Sequence, residues 1–283
     1  MHLRSVFSIF LSLVFLSSLI SQSGWTRKKG HFFAKLDLSA LNATTYYDHD
    51  RVSTTTVSFN QGNINFYGEY GLTDRIAITA AMPLVRSNYY FDSYRAIGIG
   101  DLRLDFKYRL TSNDLPISLI IAPELPIGKS ENIVGRYMRP NEFVNLPNGD
   151  GEFNVWTGVA ASKSFGKMYA SAFGMYNFRT KYKGNSLVDL YQFGAEIGVS
   201  PLNKLWINTK LRAQFATDKP KNLDIPFLIG DGTTYTLLSF EVSYKVTDHL
   251  GFSLAYFTGG NWISPFSNIY IAPFRSIGVF YEH

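Results

Sequence analysis

Asp101, Arg103, Asp105, Lys107 and Arg109 recur at every second position of the stretch Gly98–Leu110. Side chains two apart along a strand share a face, so these five charges form one mixed row. Further charges stand on the polar parity of later strands: Glu196, Lys210, Arg212, Glu241 and Lys245. In a pore, such rows orient solutes and set selectivity. The alternative is that opposite charges pair across a narrow lumen and fill it. Acid–base chemistry has one other candidate, His49, between Asp48 and Asp50. A lipid-modifying hydrolase or acyltransferase would need such a histidine poised near a serine or carboxylate. His2, His31, His249 and His283 lie in the leader, a strand start, a short turn and the terminus. No zinc spacing, calcium loop or phosphate-binding loop occurs, and with no cysteine a thiolate site is excluded. No cofactor or metal is expected.

The elements carrying these charges are strands with an equally regular apolar face. Leu102, Leu104, Phe106, Tyr108 and Leu110 fill the other parity of the same stretch. A soluble sheet packs that face on a core, whereas a membrane barrel turns it to lipid and keeps charge in the lumen. The rest of the chain favours lipid. Strands are expected from near His31, over Thr54–Tyr70, from Ile76, over the opening stretch, then Ile117–Ile127, Glu152–Phe165 and Met168–Arg179. Five more continue to Tyr281, the seventh alternating poorly. Connections near 73, 113, 166, 202 and 248 are short, and those near 48, 92, 139, 184, 224 and 263 are longer. Outer-membrane barrels have this asymmetry, with an even strand count. The expected fold is all-β, a transmembrane antiparallel up-and-down barrel of about twelve strands. Tyr67, Tyr70, Tyr89, Tyr90, Phe91, Tyr182 and Tyr191 gather near strand ends, as interfacial aromatics do.

Composition agrees. Aromatics are 16% and charged residues 17% of the 283 residues, with mean hydropathy near zero, as expected when half of each strand is polar. A net charge of +5, with no basic block longer than Arg27–Lys29, is too mild and too scattered to argue for nucleic acid, and no nucleic-acid partner is expected. Residues 1–23 read as a signal peptide, with Arg4, an apolar run from Val6 to Ile20, and Ser21-Gln22-Ser23 as the cleavage region. The mature domain is then 24–283. Gly24–Gly30 is a short basic lead-in, too brief on this reading for a plug. Location in the outer membrane of a Gram-negative bacterium follows, with lipid and a small solute as partners and a monomeric state.

Glu69-Tyr70-Gly71-Leu72-Thr73-Asp74-Arg75, Met82-Pro83-Leu84 and Gly98-Ile99-Gly100-Asp101-Leu102 resemble the outer-membrane "meta-pathway of phenol degradation" family of transporters. Leu125-Pro126-Ile127-Gly128, Gly149-Asp150-Gly151 and Ala161-Ser162-Lys163-Ser164 resemble its second half-motif. The likeness covers Tyr67–Tyr176 and implies a barrel passing small hydrophobic or aromatic compounds. Glu282 and His283 after Tyr281 depart from the terminal aromatic common in barrels.

Pro83, Pro123 and Pro126 fall inside expected strands. Proline cannot donate to a ladder, so each marks an edge, bulge or strand end. They are either wall kinks at the rim or a gap through which an apolar solute leaves sideways into lipid. Three function classes stay open: channel, structural or adhesive barrel, and lipid-modifying enzyme.

Overall fold

The computed structural model describes residues 22–221, 225 and 229–283, so most of the expected signal peptide lies outside the described residues. Twelve long antiparallel strands follow one another: β1 (Phe32–Tyr47), β2 (Ser53–Gly71), β3 (Ile76–Tyr90), β4 (Leu102–Arg109), β5 (Ile117–Leu125), β6 (Asn154–Phe165), β7 (Met168–Arg179), β8 (Leu190–Leu202), β9 (Leu205–Ala216), β10 (Tyr235–Lys245), β11 (Leu250–Gly259) and β12 (Phe274–Glu282). Each pairs with its chain neighbour, and β12 closes on β1 through the register Phe33↔Glu282 to Ala40↔Arg275. Closure satisfies the backbone of every strand and leaves no edge, the condition for a sheet to stand in lipid.

Connections 72–75, 110–116, 166–167, 203–204 and 246–249 gather at one end with the start of β1 and the end of β12; connections 48–52, 91–101, 126–153, 180–189, 260–273 and the described part of 217–234 gather at the other. By the barrel convention these are the periplasmic and external ends. The 48–52 connection is itself short; β1 and β2 carry that hairpin outward by their 16- and 19-residue lengths.

Parity decides which face meets what. Phe106 and Tyr108 on β4 are each 45% exposed, while Arg103, Asp105 and Lys107 are 4, 2 and 3% exposed. The same apolar-out pattern runs through Leu36 and Leu38, Leu119 and Ile121, Phe240 and Val242, Phe252 and Leu254, and Ile277 and Val279. Strand β7 alternates poorly because Phe173 and Met175 share the inward parity of Ser171 and Asn177, while Ala170, Ala172 and Gly174 face outward. Tyr67 and Tyr182 correct the interfacial reading: Tyr67 lines the lumen and Tyr182 packs among loop residues. The external half of the lumen also holds an apolar cluster of Leu41, Phe59, Leu146, Phe257, Tyr270 and Phe274, with Phe257 and Phe274 stacked at 4.0 Å.

Candidate functional site: the barrel lumen

The charges expected in the lumen turn inward, and most meet an opposite charge. Arg103 Nε donates to Asp105 Oδ1 at 2.8 Å, and the Arg103 guanidinium lies 5.2 Å from the Trp156 ring. Lys107 Nζ is 3.9 Å from Glu69, Lys35 Nζ is 2.9 Å from Glu241, and Lys210 Nζ is 3.8 Å from Glu196. Lys245 pairs with Glu282, Tyr169 donates to Glu196, and Arg212 lies over Phe173 at 5.5 Å. Arg109 is half-buried near the periplasmic rim.

Asp101 has a different task. It precedes β4, and its carboxylate accepts from the backbone N–H of Gly128 (2.8 Å) and of Asp150 (2.5 Å). Asp101 thereby ties both ends of loop 126–153 to the wall. The segment before β6 dips inward: Asn148 donates to Arg86 O, Arg86 Nη1 donates to Asn148 O, and Asn88 donates to Pro147 O. Arg179, which the sequence reading passed over, fixes a second loop. Its Nε donates to Glu152 at 2.7 Å, while Nη2 and Nη1 reach the carbonyls of Ile229 and Gly230. Burial, then the neighbouring Asp101 and Glu124 charges, push the Asp150 carboxyl well above the usual range. Burial also lifts Glu152 to about 7, against the opposing pull of Arg179.

The periplasmic end is occupied by the lead-in, which corrects the expectation that it was too short to plug anything. Gly24 N donates to Ser162 Oγ at 2.8 Å, and Ser118 Oγ donates to Gly24 O at 2.7 Å. A Cβ on Gly24 would stand 2.0 Å from Pro116 O, so only glycine fits that approach. Trp25 packs edge-on against Tyr169 at 5.6 Å, and Trp25 O accepts from Lys107 Nζ at 3.4 Å. Arg27 reaches Glu69 at 3.4 Å. The lead-in thus lies inside the periplasmic end of the lumen and lines it.

Two chambers remain, sharing Asp37 and Tyr67 in their walls. One of about 850 Å³ faces the periplasm, with Trp25, Trp206, Tyr169 and Phe280 among its charges. The other, about 160 Å³, lies beneath the external loops beside Trp156, Arg86 and a row of amide side chains.

The prolines sit on one side of the wall. Pro83 is at a bulge where Ile64 pairs Val85 and Asn65 pairs Pro83, leaving Leu84 extra. Gly100 packs on it so closely that a Cβ would lie 2.1 Å from Pro83 Cγ. At Pro123 the β4–β5 ladder skips from Arg103↔Glu124 to Phe106↔Ile121. Pro126 lies beyond the end of β5, outside the strand the sequence reading gave it, because the loop turns in to meet Asp101. His49 is in the first external connection. It is half-buried, burial lowers its basicity, and its Nδ1 has no hydrogen-bond partner among the described residues.

Closed antiparallel strands, lipid-facing apolar parity and loop asymmetry define an outer-membrane β-barrel of porin-like architecture. Among solved structures, it is similar to the COG4313 outer membrane channel from Pseudomonas putida F1, at TM-score 0.63 and 12% identity over 93% of this chain and 98% of that one. It is also similar to the translocator domain of autotransporter NalP from Neisseria meningitidis, at 0.55 and 10% identity over 94% and 91%. The KdgM porin aligns at 0.47 and 10% identity over 87% and 98%. At these identities the likeness is one of fold. No family model and no curated protein matches the chain.

Proposed function

We propose that this barrel is a gated channel of the Gram-negative outer membrane for small, largely apolar or aromatic solutes, acting as a monomer surrounded by lipid. The observation that carries the reading is the pair of chambers in line along one lumen, the periplasmic one lined by a single short peptide and the external one by inturned loops, each placed to gate the path. A scaffold has no need of internal chambers. Aromatic rings in the periplasmic chamber suit an apolar or ring-shaped solute, in line with the resemblance to the meta-pathway family. The paired lumen charges hold the walls apart and keep the path hydrated, and Glu241, Lys210, Glu196 and Lys245 bias which solutes pass. No covalent step is required of any residue.

Planar-bilayer conductance tests this. The intact barrel gives small, infrequent openings, and deletion of residues 24–29 raises conductance severalfold while heat-modifiable gel migration shows an intact barrel. A truncated barrel that folds and stays silent supports the scaffold reading instead.

A further inference from the structure

The external chamber carries a set of hydrogen-bond acceptors with nothing to accept from. Asp37 Oδ2, Asn65 Oδ1, Asn154 Oδ1 and Asn177 Oδ1 are buried and without partners among the described residues, and all four residues line the chamber. Each is more than nine-tenths buried. Orphaned buried acceptors are costly, so such a set in one cavity calls for an occupant.

Three of the four are held in place by their other halves. Asn65 Nδ2 donates to Asp37 Oδ1 at 3.0 Å and to Ser39 Oγ at 3.2 Å, and Asp37 Oδ1 also accepts from Ser276 Oγ at 3.2 Å. Asn154 Nδ2 donates to Glu152 Oε1 at 3.1 Å. These bonds fix which atom of each group is left over: it is the oxygen. Arg86 Nε, a buried donor on the chamber wall, also lacks a partner among the described residues. Waters could satisfy the oxygens, and a cavity of this size has room for about five.

The acceptors fall into two groups. Asp37 and Asn65 stand on β1 and β2, while Asn154 and Asn177 stand on β6 and β7, about half the barrel's circumference away. Tyr67 and Trp156, each two residues along the strand from Asn65 and Asn154, also line the chamber. The volume, about 160 Å³, is close to the roughly 150 Å³ of an engineered cavity that admits benzene.

We infer that the chamber is a binding site for a ring-sized solute with apolar faces and hydroxyl or amino donors at two opposite edges. This deepens the channel reading and rests on it: solutes are selected by donors on the edge as well as by an apolar ring. A purely hydrocarbon solute would leave the four oxygens unpaired and be rejected there. Discrimination of this kind is strong because the cost falls on the site's own buried groups.

The test is isothermal titration of the purified barrel in detergent micelles. The probes are benzene-1,4-diol and cyclohexane-1,4-diol, against their 1,4-dimethoxy counterparts; the first pair reports an aromatic ring and the second an alicyclic one. Each titration is repeated on the barrel lacking residues 24–29, so that slow entry does not mask binding. At least one diol binds, its dimethyl ether binds at least about tenfold more weakly, and Asn177→Leu removes most of that difference. Asn177 has no side-chain hydrogen bond to lose in the closed chamber, and gel migration confirms that the variant folds. Ethers binding as well as diols, no diol binding in either protein, or an unchanged preference in Asn177→Leu would overturn the inference. If the truncated barrel conducts under those results, the channel reading survives without it; a truncated barrel that is silent removes the channel reading itself.

Discussion

At the scale of single residues, the lumen is controlled by groups that hold peptide rather than solute. Asp101 accepts two backbone N–H bonds from loop 126–153, and charge-assisted bonds of this kind contribute about 1.5–3 kcal/mol each. Asp101→Ala is therefore expected to free the loop, read as faster trypsin cleavage at Arg136 with unchanged barrel migration. Gly24 plays the matching part below: Gly24→Val cannot occupy the approach to Pro116 and should raise conductance as truncation does. The pH response follows from Asp150 and Glu152. A carboxyl whose pKa is raised in the closed loop holds its proton better there than when exposed. The closed form is then favoured at low pH and loses that advantage as pH rises, for Glu152 between its ordinary 4.5 and about 7. Asp150, raised by burial and by Asp101 and Glu124, acts in the same direction. Channel openings should be more frequent at pH 8 than at pH 5, and Asp150→Asn should flatten that difference. Openings that increase on acidification would contradict the assignment.

At the scale of strands and loops, parity was the most legible feature of the sequence. The alternation in Gly98–Leu110 placed Arg103, Asp105 and Lys107 inward, and it put Asn65 and Asn154 on the polar parity of their strands without marking them as site residues. Neutral amides give no charge signal, and only their shared cavity marks them out. Strand β7 was obscure because lipid tolerates small residues such as Ala172 and Gly174 while the lumen took Phe173 and Met175. The inturned segment at Leu146–Asp150 and the lead-in at Gly24–Gly30 were illegible for another reason. Their burial depends on a narrow lumen formed by distant strands, and nothing local distinguishes them from exposed loop. The wall itself offers a test of the two faces. Leu254→Arg, on the lipid side of mid-β11, should cost about 2–4 kcal/mol of folding stability. Pro83→Ala tests the lateral exit at the β3 bulge: unchanged uptake of an apolar solute removes that route, whereas a clear loss supports it.

At the scale of the whole molecule, one arrangement explains the exposed apolar belt, the buried charges and the closed ladder. Among the described residues the buried apolar side chains fall into separate clusters rather than one continuous core of the kind that holds a soluble sandwich together. Its inward face is largely polar, and its outward face carries Leu, Ile, Val and Phe from strand to strand. In water that belt would be an unpaired apolar surface far larger than soluble monomers expose. In lipid it is the stabilising contact, and ring closure removes the edges that would otherwise aggregate.

The most direct measurement is the dependence of folding on an apolar phase. The mature polypeptide, refolded from denaturant, should acquire β-circular dichroism and heat-modifiable migration in detergent micelles or lipid vesicles, and should aggregate when detergent is withdrawn. A compact, monodisperse, folded particle in plain buffer would contradict the account at its foundation.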